Sequence, residues 1–337
     1  MKPYEELTWR GKLRRFRLLA AHALQQYDIE LQRFDLIGYD TNILYRIYAA
    51  DGSQYALRLA NGQWRTMNDA QSEATWLQAL AQDTQIPVPR IVSARNGDSV
   101  ITPQIQGMPS GGHAILMSWL PGVLMGKRLT EQNLVKMGKL FGQLHQHGVS
   151  WKPPSGFTTR RFDNFLSRGE EDLFLTDQYT ALYAPETTQI LRLIREQVEA
   201  TYAALDPADL RVIHCDLWHD NIKIDKGVLY PFDFEDTIWG YRLHDIAMAM
   251  LDLYEDTEDM ERYEQLLTAF RRGDEEYLAW PEGDMTLLQI GRILWRLNHY
   301  VRWAPEEWLK KDAAFNADLF RRYLETGKLI PPLQTPR

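Results

Sequence analysis

The sequence predicts an α+β protein, bilobal, with a small strand-rich N-terminal lobe and a larger helical C-terminal lobe. Three observations carry this. Extended runs rich in Ile, Tyr and Leu gather in the first third of the chain. Helical periodicity dominates beyond Pro121-Gly122. Strands and helices do not alternate throughout, as a doubly wound parallel sheet would require.

Each element follows from a local pattern. Residues 12–27 form a helix with Phe16, Leu19, Ala20, Ala23 and Tyr27 as its buried stripe. Asn42 to Tyr48 and Gln54 to Leu59 are strands, and Asp51-Gly52 between them accepts the positive φ of a hairpin turn. Residues 70–81 return to helical spacing, with Ala74, Leu77 and Leu80 on one face. Ile86-Pro87-Val88-Pro89 closes that helix, because proline removes a donor and restricts its predecessor. Ser99 to Gln106 and Ala114 to Trp119 supply two further strands, and Pro121-Gly122 marks the lobe boundary. Helices follow at Leu129 to His147, Thr188 to Leu205, Leu243 to Asp252, and near 258–272, 286–304 and 313–325. Ile222 to Ile224 and Val228 to Tyr230 are short paired strands joined by Asp225-Lys226-Gly227.

Composition narrows the functions. The chain of 337 residues, 45% hydrophobic, can bury a substantial core. Its net charge of -8, from 38 basic and 46 acidic residues, argues against a general nucleic-acid binder. The run Lys12-Leu13-Arg14-Arg15-Phe16-Arg17 reads as the solvated side of the first helix. The single cysteine, Cys215, excludes an intrachain disulfide and points to a reducing compartment. The N-terminal residues lack the apolar run of a signal peptide, and no stretch has the ~18–20 apolar residues that span a bilayer. The expectation is a soluble cytoplasmic protein with no membrane partner, of unspecified oligomeric state. Scattered histidines beside one cysteine give no zinc signal.

The densest chemistry lies in His214-Cys215-Asp216-Leu217-Trp218-His219-Asp220-Asn221, between apolar strand-like pieces. Asp233 follows in Tyr230-Pro231-Phe232-Asp233-Phe234-Glu235-Asp236, and a hairpin can return it toward Asn221. Such oxygens suit Mg²⁺ shared with nucleotide phosphates. A further carboxylate, Asp216, is spaced to receive the proton of an acceptor hydroxyl. The competing reading is that these Asp and Asn residues support turns and caps.

The loop resembles that of the aminoglycoside phosphotransferase and choline kinase-like family, whose pattern is His-Gly-Asp-Leu-His-x-x-Asn followed by Ile-Asp-Phe-Glu/Asp. Here Cys215 replaces the glycine and Trp218 the second histidine. Upstream, Leu36 to Arg46 is similar to the family's phosphate-covering turn, Tyr55-Ala56-Leu57-Arg58-Leu59 to the strand bearing a phosphate-contacting base, and Ser72-Glu73 with Trp76-Leu77 to its helix motif. Met117-Ser118-Trp119-Leu120-Pro121-Gly122 resembles the hinge, and Gly240 to Ala247 the segment after the metal aspartate.

The resemblance implies a protein kinase-like fold, with residues 1–119 as the nucleotide-binding lobe and 120–337 as the catalytic and acceptor-binding lobe. It implies ATP and Mg²⁺ as cofactors, Asp216 as catalytic base, and Asn221 and Asp233 as metal ligands. Asn42, Arg58, Glu73, Ser118 and Trp119 are the implied nucleotide-site residues. The expected reaction is phosphorylation of a hydroxyl on a small molecule of unspecified identity. A protein serine/threonine kinase and a nonenzymatic nucleotide-binding scaffold remain the alternatives. Glu235 and Asp236 face an acceptor on one reading and serve local turn bonding on the other. The series Arg292, Trp295, Arg296, Tyr300, Arg302 and Trp303 lines a cleft or, as helical spacing favours for its aromatics, enters the core.

Overall fold

The computed structural model describes residues 2–39, 41–60, 65–166, 169–257 and 259–333. The chain divides into two compact units. The first comprises Met1–Gly122, Lys152–Thr159 and Tyr230–Thr237, and the second Val123–Trp151, Arg160–Leu229 and Ile238–Arg337.

The first unit opens with α1 (Trp9–Leu24), capped by the Thr8 hydroxyl, which accepts from Gly11 N–H at 3.3 Å. The helix starts and ends about a turn earlier than its apolar stripe predicts, and Tyr27 is buried just beyond it. Strands β1 (Leu31–Tyr39), β2 (Asn42–Ala49), β3 (Gln54–Ala60) and β4 (His113–Ser118) form an antiparallel sheet in chain order. β1 was not expected from the sequence. Most of its side chains are exposed, so it lacks the alternation that announces a half-buried strand. The run 99–106 is not a strand. Pro103 cannot donate to a ladder, and only Ile101 bridges to Ala114. Helix α2 (Met67–Asp83) begins earlier than predicted because Thr66 and Asp69 form a capping box.

One sheet face packs on α1. Phe16, Leu19, Ala20 and Ala23 meet Ile43, Tyr45, Ile47, Leu57 and Leu59 in a continuous core. Strand alternation therefore turns Arg58 to the other face, toward α2. Removing one of these large side chains costs about 2–5 kcal/mol. Asp40, within the expected phosphate-covering turn, lies outside the described residues.

The second unit contains β5 (Val123–Leu124), α3 (Glu131–Ser150), β6 (Arg161–Phe162), α4 (Asp177–Thr180), α5 (Pro185–Ala204), β7 (Leu210–Ile213) and β8 (Ile222–Asp225). β9 (Val228–Pro231) leads into the segment assigned to the first unit. The remainder is β10 (Ile238–Tyr241), α6 (Arg242–Thr257), α7 (Met260–Asp274), α8 (Met285–Tyr300) and α9 (Glu306–Thr326). Two small sheets run β6-β10-β7 and β5-β8-β9. Lys226 and Gly227 both have positive φ, giving β8 and β9 the tight connection expected. Helix α9 begins seven residues ahead of the predicted 313, after Pro305 and with Glu306 and Glu307 in its first turn. Residue 258, at the predicted start of α7, lies outside the described residues.

Helices α3 and α7 approach closely because glycines line the crossing. A Cβ on Gly138 would overlap the Phe270 carbonyl, and one on Gly273 the Val135 carbonyl. α3 also carries the buried His145, which reaches α6. Among the described residues, no helix is long and apolar enough to cross a membrane.

Candidate active site

In the first unit, alternation in β3 and the buried face of α2 bring Arg58 and Glu73 together. Arg58 is 6% exposed and Glu73 1%. Both guanidinium nitrogens donate to the carboxylate, one at 3.0 Å and the other closer. Burial works against the arginine's charge, but Glu73, Glu235 and Asp233 outweigh it and raise its pKa. The pair is thus an ion pair fixed in two-pronged geometry, which lysine could not reproduce.

Arg58 also lies 3.7 Å from the Asp233 carboxylate and 4.0 Å from that of Glu235. Asp233 stands before a short 3₁₀ turn in left-handed geometry, φ 64 and ψ 56, which aspartate tolerates better than most residues. Its side chain is 40% exposed. Asn42, at the start of β2, donates its amide N–H to Glu235, and Asp236 is ion-paired with buried Arg65. Both acidic groups after Asp233 are therefore bonded within this unit rather than left open for an acceptor.

Sequence reasoning missed Arg65 and His113. The buried His113 is the first residue of β4. Burial and then the Arg58 charge hold its imidazole down to about 4, so it is neutral at physiological pH. Ser118 ends β4 and Trp119 follows it, with their backbone N–H groups spent on the Arg90 carbonyl at 2.8 Å and the Gln54 carbonyl at 3.0 Å. The Arg46 guanidinium sits 4.2 Å over the Trp119 ring.

In the second unit, the polar loop leaves β7 and crosses α6. Asn221 donates its amide to the Asp216 carbonyl at 2.8 Å and to its carboxylate at 3.0 Å. Its Oδ1 accepts no hydrogen bond among the described residues. A hard amide oxygen here and an exposed carboxylate at Asp233 are the donor chemistry Mg²⁺ takes. No group of three or more His, Cys, Asp or Glu among the described residues could hold a metal unaided.

Helix α6 anchors the loop. Buried Asp245 accepts from the Cys215 N–H at 2.7 Å and from His145 Nε2 at 2.9 Å. Burial alone would raise its carboxyl, but the His145 bond and charge, His214 and the Cys215 amide hold it below the ordinary aspartate value. Asp256 accepts from His219 at 2.8 Å. Cys215 has φ 70, so the residue replacing glycine keeps a backbone shape that favours glycine. Gly126 completes the seat, since a Cβ there would overlap Asp220 and the His219 ring. The aromatics of α8 do not enter the core: Trp295 and Tyr300 are half-buried, and Trp303, beyond the helix, is exposed.

Residues 30–281 match the family described as "Phosphotransferase enzyme family" (APH). Amicoumacin kinase of Bacillus subtilis (strain 168) is 21% identical over 294 residues, 83% of this chain and 82% of that protein. The Synechocystis protein sll1119 is 31% identical over 143 residues, 40% of this chain and 38% of its own length.

Among solved structures, amicoumacin kinase hAmiN in complex with AMP-PNP, Ca²⁺ and Ami has a TM-score of 0.75 at 18% identity, covering 96% of this chain and 98% of that one. A microcompartment-associated aminopropanol kinase has a TM-score of 0.73 at 20% identity, covering 93% and 99%. These likenesses establish a protein kinase-like fold, with the strand-rich region of β1–β4 and a helix-rich C-terminal region. With the family match spanning most of the chain, the protein belongs to the phosphotransferase enzyme family.

Proposed function

We propose that this protein is an ATP-dependent kinase that phosphorylates a hydroxyl group of a small molecule. The observation that carries the reading is the double hydrogen bond from Asn221 to Asp216. It orients the carboxylate proposed as base and leaves Asn221 Oδ1 as a hard oxygen donor.

On this reading Asp216 accepts the acceptor's hydroxyl proton as that oxygen bonds to the γ-phosphorus. The bond from phosphorus to the β-bridging oxygen breaks, and ADP leaves. Asn221 and Asp233 would hold Mg²⁺, which supplies neutralisation of phosphate charge when bound. Arg58, oriented by Glu73, would meet the α- and β-phosphates, and Asn42 and the Ser118–Trp119 backbone would complete the nucleotide site. Residues 1–119 would then serve nucleotide binding, and 120–337 catalysis and acceptor binding. The kinases of similar fold whose names state amicoumacin or aminopropanol as substrate support a small-molecule acceptor.

The test incubates wild type and D216N with γ-labelled ATP, Mg²⁺ and a cell-derived metabolite pool, and locates the label by mass spectrometry. A labelled small molecule made by wild type alone is the expected result. Label on protein would instead establish the serine/threonine kinase reading. No label despite MgATP binding would point to a nucleotide-binding scaffold.

A further inference from the structure

The first unit holds a cavity of about 580 Å³ that no step of the proposed reaction uses. Helix α2 forms one wall. Its Met67, Gln71 and Thr75 follow one another at four-residue spacing and so share one side of the helix. The turn 96–99 and the segment 154–157 form the other walls, and buried Val100 and Ile101 also line it.

These walls are tied together. The Ser72 hydroxyl donates to the Thr158 carbonyl, which joins the 154–158 segment to α2. Gln78 Nε2 donates to the Ser99 hydroxyl at 3.0 Å, which joins the turn to the same helix. Gly97, at φ 92, lets Asn96 and Asp98 bond each other, side chain to side chain at 2.7 Å and Asp98 N–H to Asn96 Oδ1 at 3.0 Å.

The lining chemistry selects the ligand. Among the described residues Asp98 is the one charged side chain of the lining, exposed and already accepting from Asn96. No cation lines the cavity, so a phosphate or carboxylate would find no counter-charge. The side chains of Gln71, Thr102 and Ser155 make no hydrogen bond among the described residues and offer neutral amide and hydroxyl groups. Half-buried Met67 and Phe157 supply apolar surface beside them. Neutral hydrogen-bonding groups around an apolar patch match a sugar ring, which has a C–H face and a rim of hydroxyls. The volume lies within the range of about 300–1,000 Å³ of small-molecule sites.

Helix α2 connects this cavity to Arg58. Glu73 lies two residues from both Gln71 and Thr75, about 200° around the helix. There it bonds Arg58 through both carboxylate oxygens. One helix thus has the cavity on one side and the ion pair on the other. We propose that the cavity binds a neutral polyhydroxyl compound of mono- or disaccharide size, and that its occupancy steadies α2 and so tightens nucleotide binding. The second half rests on the reading of Arg58 as a phosphate-contacting residue; the first does not.

Saturation-transfer titration of the whole chain with glucose, maltose and myo-inositol, without nucleotide, tests the site. A neutral probe should bind, and glucose 6-phosphate should bind at least about tenfold more weakly. Gln71→Trp sets an indole into the cavity from an exposed helix position and should weaken binding about tenfold or more. MgAMP-PNP should tighten binding of the neutral probe about fivefold or more, and the probe should tighten MgAMP-PNP equally.

No transfer to any neutral probe overturns the proposal. So does binding unchanged in folded Q71W, which would assign the sugar to the acceptor site instead. Should Q71W fail to fold, Ser155→Trp on the 154–157 wall decides the same point. Probe affinity that ignores bound MgAMP-PNP overturns the coupling. Failure of MgAMP-PNP to bind would sink the kinase reading and the coupling with it, while the sugar titration still decides the site.

Discussion

Arg58 and Asp216 are held by opposite means. Arg58 is surrounded by more negative charge than it can neutralise, with Glu73 bonded to it and Asp233 and Glu235 at 3.7 and 4.0 Å. Asp216 is held through its neighbours: Asn221 bonds it directly, while Asp245 and Asp256 grip Cys215 and His219. The first arrangement stores a surplus of anionic partners around one cation. The second fixes a backbone and leaves the acidic side chain available. On the proposed reading, Arg58 meets anionic phosphates and gains from strong competing partners that keep it ordered. On the same reading Asp216 takes a proton and gains from a rigid frame that does not neutralise it.

The comparison can be broken by removing one element from each arrangement. D216N should lower phosphoryl transfer by about 10²–10⁴-fold while MgATP affinity changes little, measured by single-turnover kinetics and nucleotide titration. Retained activity would remove Asp216 from the chemistry. E73A should destabilise the protein by about 3–5 kcal/mol, because it strands a buried guanidinium, and denaturant unfolding will show it. A smaller loss would mean that Asp233 and Glu235 take over the pairing.

Asp245→Ala should cost about 1–3 kcal/mol by leaving the Cys215 amide unpaired. Because the native Asp245 carboxyl lies below its ordinary value, its contribution is present above the aspartate range and lost as pH falls through the folded value. The D245A variant should accordingly show less acid sensitivity than wild type in thermal unfolding. His113 gives a second pH signature. Its folded value of about 4 lies below the ordinary 6.5, so the unfolded chain binds the proton first. Stability should decline as pH falls from about 6.5 to 4, and His113→Gln should flatten that slope. The smallest effect belongs to Cys215→Gly, which relieves left-handed geometry but loses buried sulfur and restricts the unfolded chain less. Its net change should stay within about 1 kcal/mol, with activity retained.

Much of this was legible in the sequence because it lay in local patterns. The β2–β3 hairpin followed from Asp51-Gly52 between apolar runs, and Arg58 turned away from Leu57 and Leu59 by simple alternation. The start of α2 was also written there, in Thr66 and Asp69, but apolar periodicity begins later and drew the boundary inward. β1 is hidden in the sequence because its apolar residues do not alternate with burial, Leu31, Leu36 and Ile37 being exposed, and 99–106 forms no strand because Pro103 cannot donate to a ladder. In the site, the residues from 214 to 221 announced themselves by spacing. Arg65 and His113 did not, since their meaning comes from burial beside charges distant in sequence. The aspartates of α6 stood in plain view at helical spacing. That only two of them are bonded among the described residues is a tertiary fact.

The buried Cys215 is the only thiol in the chain and sits inside the loop that Asp245 fastens. A thiol reagent can reach it when that fastening lets go. The rate of its alkylation thus becomes a built-in clock for the opening of the 214–221 loop, readable in the native sequence without an introduced label.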